Sequence, residues 1–192
     1  MQTADSDREF DVVLQGATGF TGGLVAEYLC ERHGVGGGLR WALAGRSEPK
    51  LRAVRDRLGP GATDLPLIVA DAGDAEAMRL LAARTRVLCT TVGPYARFGS
   101  PLVEACATGG THYCDLTGEV HWMQRMIDTH HDAARKSGAR IVHACGFDCI
   151  PSDLGTWFVQ REMQTRHGVT SPHVKLRVQG FSGGASGGTI AR

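Results

Sequence analysis

Gly16, Gly19 and Gly22 recur at every third position in GATGFTG, directly after the apolar run FDVVL (10–14) and Gln15. This spacing has chemical meaning only where a strand ends on the first glycine and a helix opens on the last. In that setting the first glycine permits a tight turn and the second lets the backbone approach a pyrophosphate. The third lets the helix pack closely on the strand. The first helical turn then offers unpaired N–H groups and a partial positive charge to phosphate oxygens. The hydroxyls of Thr18 and Thr21 can add hydrogen bonds. Gly16, Ala17, Thr18, Gly19, Phe20, Thr21 and Gly22 are therefore candidate dinucleotide-binding residues.

Three further places fall at the ends of apolar runs. In Ala44-Gly45-Arg46-Ser47 no carboxylate stands at the tip, where an acid would bind a ribose 2′-hydroxyl. Arg46 carries a planar fork of donors suited to a 2′-phosphate instead, with Ser47 beside it. The alternative is an Arg46 that is merely a solvated loop residue. Asp71 either meets an adenine ring or caps the next helix. Val92, Gly93, Pro94 and Tyr95 close a fourth apolar run, at the edge where the nicotinamide end of a dinucleotide passes; a plain turn is the other reading. Tyr95 is the candidate catalytic group, a phenol placed to give a proton near the nicotinamide. Asp115, Glu119 and Asp148 follow later runs and can line the same edge, although such residues more often serve as caps or turns.

Other motifs carry less. His143, Cys145 and Cys149 do not have a zinc spacing, and no metal is expected. The six cysteines (30, 89, 106, 114, 145, 149) form no CxxC pair and mostly sit in apolar runs, as small hydrophobes in a reducing compartment. His130-His131 belongs to the solvated face of a long amphipathic segment. Two overlapping GxSxG matches (180–184 and 184–188) resemble a hydrolase elbow, but that chemistry needs Asp and His later in the chain, and only four residues follow.

The elements that must position these residues alternate. Strands are expected at 10–14, 39–44, 65–70, 86–92, 111–115 and 139–144. Helices are expected at 20–30, 48–58, 74–84, 100–108 and 120–137. Six strands separated by helices predict an α/β fold, a Rossmann-type doubly wound and mostly parallel sheet. Residues 1–9 read as a flexible tail and 10–152 as the dinucleotide-binding domain. Residues 153–192 read as the start of a truncated α+β substrate domain, with a helix over 153–167 and an alternating strand over 173–179. A net charge of +1 supplies no general attraction to nucleic acid. No apolar stretch approaches the ~20 residues that span a bilayer, and no signal peptide or Asn is present. A cytoplasmic setting is expected, with peripheral lipid contact and a homodimer left open.

These residues resemble the saccharopine dehydrogenase-like oxidoreductase family, in particular its bacterial branch of trans-acting enoyl reductases. The resemblance rests on GATGFTG (16–22), WALAGRS (41–47), VGPYARFGSPLVEAC (92–106), YCDLTGE (113–119), GFDCIPSDLG (146–155) and SGGTIA (186–191). It implies an NADP(H)-binding domain, a substrate domain in a longer chain, and an unsaturated acyl or polyketide substrate of lipid assembly, free or carrier-bound. Hydride would pass from NADPH to the β-carbon of a conjugated acyl group and a proton to the α-carbon. The reading set against it is a non-catalytic NADP(H) sensor or scaffold.

Overall fold

A computed structural model of the chain describes residues 8–180. Residues 1–7 of the expected tail and nearly all of the GxSxG tract lie outside that range. The strands are β1 (Phe10–Gln15), β2 (Trp41–Gly45), β3 (Leu67–Val69), β4 (Thr85–Thr90), β5 (His112–Asp115) and β6 (Ile141–Val142). The helices are α1 (Phe20–His33), α2 (Glu48–Arg57), α3 (Ala75–Ala83), the short α4 (Tyr95–Phe98), α5 (Ser100–Gly109), α6 (Val120–Ser137) and α7 (Ile150–His167). The strands form one sheet in the order β3-β2-β1-β4-β5-β6, and every pairing is parallel. This is the doubly wound Rossmann arrangement, with its reversal of direction between β1 and β4.

The composition of the strands follows from burial on both faces. Val13, Ala42, Leu88 and Tyr113 face one core, built with Met78 and Leu81 of α3, Val103 and Cys106 of α5, and Trp122 of α6. Their chain neighbours Leu14 and Leu43 face the other core, against Ala26 of α1 and Leu51 and Val54 of α2. A strand with two apolar faces reads as a continuous apolar run, as FDVVL and WALAG do. Each fully buried Leu or Val adds about 1.5–3 kcal/mol.

Helix starts are locally encoded. The Asp74 carboxylate accepts from the N–H groups of Glu76 (2.9 Å) and Ala77 (3.1 Å), so Asp74 caps α3. Pro49, Pro101 and Pro151 occupy first turns, where a missing N–H costs nothing. Pro151 explains why α7 starts at Ile150, earlier than its periodicity suggests.

One expectation is corrected. HVKLRVQ over 173–179 forms no strand. Its alternation is real, but a strand needs a partner, and no described segment pairs with it. Leu176 and Val178 are exposed. Helix α7 likewise buries none of its residues, and Leu154, Trp157 and Phe158 face outward.

The first two strands are joined at their starts by an ion pair that periodicity does not show. Asp11 accepts from Arg40 N (3.0 Å), Nε (3.3 Å) and Nη2 (3.0 Å), while Asp11 N donates to Arg40 O (2.7 Å). Hydrogen bonds from the Arg40 guanidinium, and then from its backbone N–H, hold the Asp11 carboxyl at about 2, below its ordinary 3.8. A carboxyl depressed by folding stabilises above its unfolded value and loses that contribution as pH falls through its folded value. Arg40 is half exposed, so solvent screening discounts the contribution. Asp11→Asn is expected to lower the urea midpoint at neutral pH. The gap to wild type should close between pH 3.8 and about 2.

Candidate functional site

A groove of about 280 Å³ opens at the carboxyl ends of β1 to β4, where the strand order reverses. Its first wall is the turn from β1 into α1. Gly16 has φ +90°, and a Cβ there would come within 2.7 Å of Val92 Cγ2 and 2.8 Å of Thr91 Oγ1. A Cβ on Gly22 would collide with the Gly16 carbonyl oxygen and lie 2.9 Å from Ala17 Cα. The sequence thus places α1 against its own turn with no room for a methyl group. Gly19 precedes α1 without any side-chain cap, and the first turn contains no acidic residue. The leading N–H groups of this 14-residue helix and its dipole are left to an anion.

Of the candidate residues, Gly16, Thr18, Gly19, Arg46, Asp71, Val92 and Gly93 line this groove. Ala17 and Gly22 are buried beneath it, shaping the turn rather than facing the opening. Phe20 is exposed, and Thr21 is partly buried in the first turn of α1. Ser47 is the N-cap of α2, although its side chain makes no capping bond. Pro94 precedes α4 and is exposed.

Arg46 stands at the end of β2, exposed and with no ion-pair partner among the described residues. Of the two readings of Asp71, the geometry excludes the helix cap. Asp74 is the helix cap, while Asp71 Oδ1 accepts from Gly73 N (2.9 Å) in a local turn and Asp71 lines the groove.

Sequence reasoning missed Gln15, Gly45, Ala70, Ala72, Thr91 and Phe98, which complete the lining. Gln15 is the most informative. It is 1% exposed, its Nε2 donates to Ala70 O (3.2 Å), and its Oε1 is buried without a protein partner. A buried carbonyl oxygen without a donor marks a place where a hydroxyl, an amine or a water completes the bonding. A polar residue ending an otherwise apolar strand was the available signal.

Tyr95 requires correction. The phenol is 3% exposed, its ring 5.5 Å from that of Trp122. Its hydroxyl donates to Thr90 O (3.2 Å) and accepts from Leu116 N (3.4 Å). The hydroxyl therefore links the ends of β4 and β5 from inside, and Tyr95 does not line the groove. Two of the three acids named with it also have structural work. Glu119 accepts from Tyr95 N and Ala96 N (both 2.8 Å), capping α4. Asp115, 2% exposed, accepts from Tyr113 Oη (2.9 Å), Thr117 N (3.1 Å) and Ala144 N (2.9 Å), and lies 2.7 Å from His143 Nδ1. Asp148 is exposed just before α7. Among the described residues no group of three His, Cys, Asp or Glu side chains is placed to hold a metal.

With the groove in view, relatives can be compared. Residues 12–142 match the saccharopine dehydrogenase NADP binding domain. The chain belongs to that family. NADP(H) is accordingly its cofactor, and the uncapped α1, the glycine cradle and Arg46 fit it. A protein of Mycobacterium tuberculosis named as a trans-acting enoyl reductase is 50% identical over 184 residues, 96% of this chain and 43% of its own. The trans-acting enoyl reductase of Mycobacterium ulcerans is 48% identical over 189 residues, 98% of this chain and 44% of its own. The chain therefore spans less than half the length of these relatives. In fold it is similar to the saccharopine dehydrogenase (L-Glu forming) of Saccharomyces cerevisiae, with a TM-score of 0.60 at 18% identity, covering 81% of this chain and 32% of that one.

Tyr95→Phe removes the hydroxyl link without opening the ring pocket. The expected result is a loss of about 1 kcal/mol in stability with NADPH affinity unchanged, read by thermal melts and by calorimetry. Full stability together with abolished turnover would return the phenol to the chemistry.

Proposed function

We propose that this NADP-binding domain is the cofactor half of an NADP(H)-dependent trans-acting enoyl reductase that reduces an unsaturated acyl or polyketide intermediate of lipid assembly. Bound NADPH supplies a hydride. The chain's own residues bind and orient it: the α1 N–H groups and the Gly16–Gly19 turn take the pyrophosphate, and Arg46 takes the 2′-phosphate. Gln15 Oε1 accepts from a donor at the groove floor, and Val92 and Gly93 border the nicotinamide end. Positioning of this kind is the protein's share of cofactor chemistry.

Arg46 is the observation that carries the cofactor assignment. It is the guanidinium of the groove lining, at the strand end that discriminates the two nucleotides, and it has no competing carboxylate partner among the described residues. The acyl substrate is supported by the relatives' name, at 50% identity across 96% of this chain. A cytoplasmic setting accords with six free cysteines and with the absence, among the described residues, of any helix long and apolar enough to cross a membrane.

Arg46→Ala is expected to weaken NADPH binding by roughly tenfold or more, the loss of a charge-assisted contact of about 1.5–3 kcal/mol. NADH binding should be unchanged, and calorimetric titration with both nucleotides reads the difference. Equal losses for the two would move the 2′-phosphate away from Arg46. Substrate class is tested by NADPH consumption with a 2-enoyl thioester, using the protein that carries this segment at its relatives' full length. Stoichiometric reduction of the double bond is expected. Tight NADPH binding without reduction of any enoyl thioester would favour the sensor reading.

A further inference from the structure

The six cysteines read in the sequence as small hydrophobes, and the fold sorts them unequally. Cys106 is fully buried on α5, and burial pushes its thiol well above the ordinary range. Cys30 is partly buried on α1. Cys89 of β4 and Cys114 of β5, 25 residues apart in the chain, are register partners in the parallel sheet. Neighbouring strands lie about 4.8 Å apart, within the ~4.4–6.8 Å between Cα atoms that a disulfide spans.

Both side chains leave the same face of the sheet. Leu88 and Tyr113, which are also register partners, point into the core under α3, α5 and α6. Alternation therefore sends Cys89 and Cys114 to the opposite face, where Cys89 packs at the margin of the α1 and α2 core. As register partners on one face the two thiols are neighbours, and each shifts the titration of the other. The Cys114 thiol lowers that of Cys89 and is itself raised by it, although burial of Cys89 opposes part of the effect. Both residues are only partly buried, and Val142, the register partner of Cys114 on β6, is half exposed on the same face. Cys145, exposed after β6, lies close enough to interact electrostatically with both.

We propose that Cys89 and Cys114 form an oxidisable dithiol, a modification site at which peroxide takes two electrons from the pair and leaves a disulfide between β4 and β5. The Cys89 thiolate attacks one peroxide oxygen, the O–O bond breaks, and the departing oxygen leaves as water. Cys89 is then a sulfenic acid. The Cys114 sulfur gives up its proton and attacks the Cys89 sulfur, and the S–O bond breaks with release of a second water. Two thiols and one hydrogen peroxide become one disulfide and two waters. The pairing is independent of the cofactor assignment.

The test treats the 192-residue chain with limiting hydrogen peroxide, alkylates the remaining thiols and maps the tryptic peptides. The expected product joins the peptide containing Cys89 to the one spanning residues 98–125. Fragmentation should place the bond at Cys114 and not at Cys106, and dithiothreitol should reverse it. Phenylarsine oxide, which bridges adjacent thiols, should protect the same two positions from alkylation with one arsenic per chain. Cys114→Ser should stop at a Cys89 sulfenic acid that dimedone traps, while Cys30→Ser should leave the cross-link intact. Because protection and mapping are read on the wild-type chain, a poorly folding variant does not blunt the test. Cys89 and Cys114 remaining separately alkylatable after peroxide, or a dominant bond to Cys145, would overturn the pairing.

Discussion

The structure depends on a separation too small for a methyl group, between the first turn of α1 and the Gly16 carbonyl. Gly22 must be glycine for α1 to reach β1, and Gly16 must turn at positive φ for α1 to begin there. The end of β4 closes on the same atoms. Thr91 N donates to Gln15 O (3.0 Å), and Thr91 Oγ1 lies 3.2 Å from Gly16 O. Overpacking at such a place costs about 1–3 kcal/mol. It would also tilt α1 away from the groove, so stability and the shape of the groove rest on the same few backbone atoms.

Around this contact, charge is distributed sparingly. The turn presents N–H groups rather than lysines to the groove, and Arg46 is the arginine of its lining. The carboxylates near the sheet edge mostly hold backbone: Asp71 holds Gly73, Glu119 holds Tyr95 and Ala96, and Asp115 holds Thr117 and Ala144. In this arrangement the acids fix the loops that border the nucleotide and stay bound to protein donors. Tyr95 belongs to the same set, fastening one strand end to the next beneath the surface.

What the sequence shows and what it hides divide by distance along the chain. The strand–helix alternation, the glycine turn and the missing acid beside Arg46 are local signals, and all are legible in short windows. Which way Tyr95 turns is not, because Trp122 on α6 and Leu116 after β5 decide it. Asp71 reads as a helix cap in the sequence until backbone N–H groups show that Asp74 is the cap. The run 173–179 alternates like a strand, yet alternation describes one strand and a sheet needs two. The Asp11–Arg40 pair and the Cys89–Cys114 pairing both depend on register between strands, which no single window contains.

The strand order has a consequence in time. β1 pairs with β2 on one side and with β4 on the other, and Phe10 meets Thr85 across 75 residues of chain. Contacts of such separation form late and slowly, because the loop must close before it is rewarded. A ribosome delivers β1, the glycine turn and β2 well before β4, so the early chain carries a phosphate-binding turn with one wall missing. Only when Thr91 and Val92 arrive does the groove exist, and from then on a nucleotide that binds the folded form alone draws the equilibrium toward it. The cofactor thereby becomes a check on assembly, since it recognises a chain that has closed its long loop and passes over one that has not.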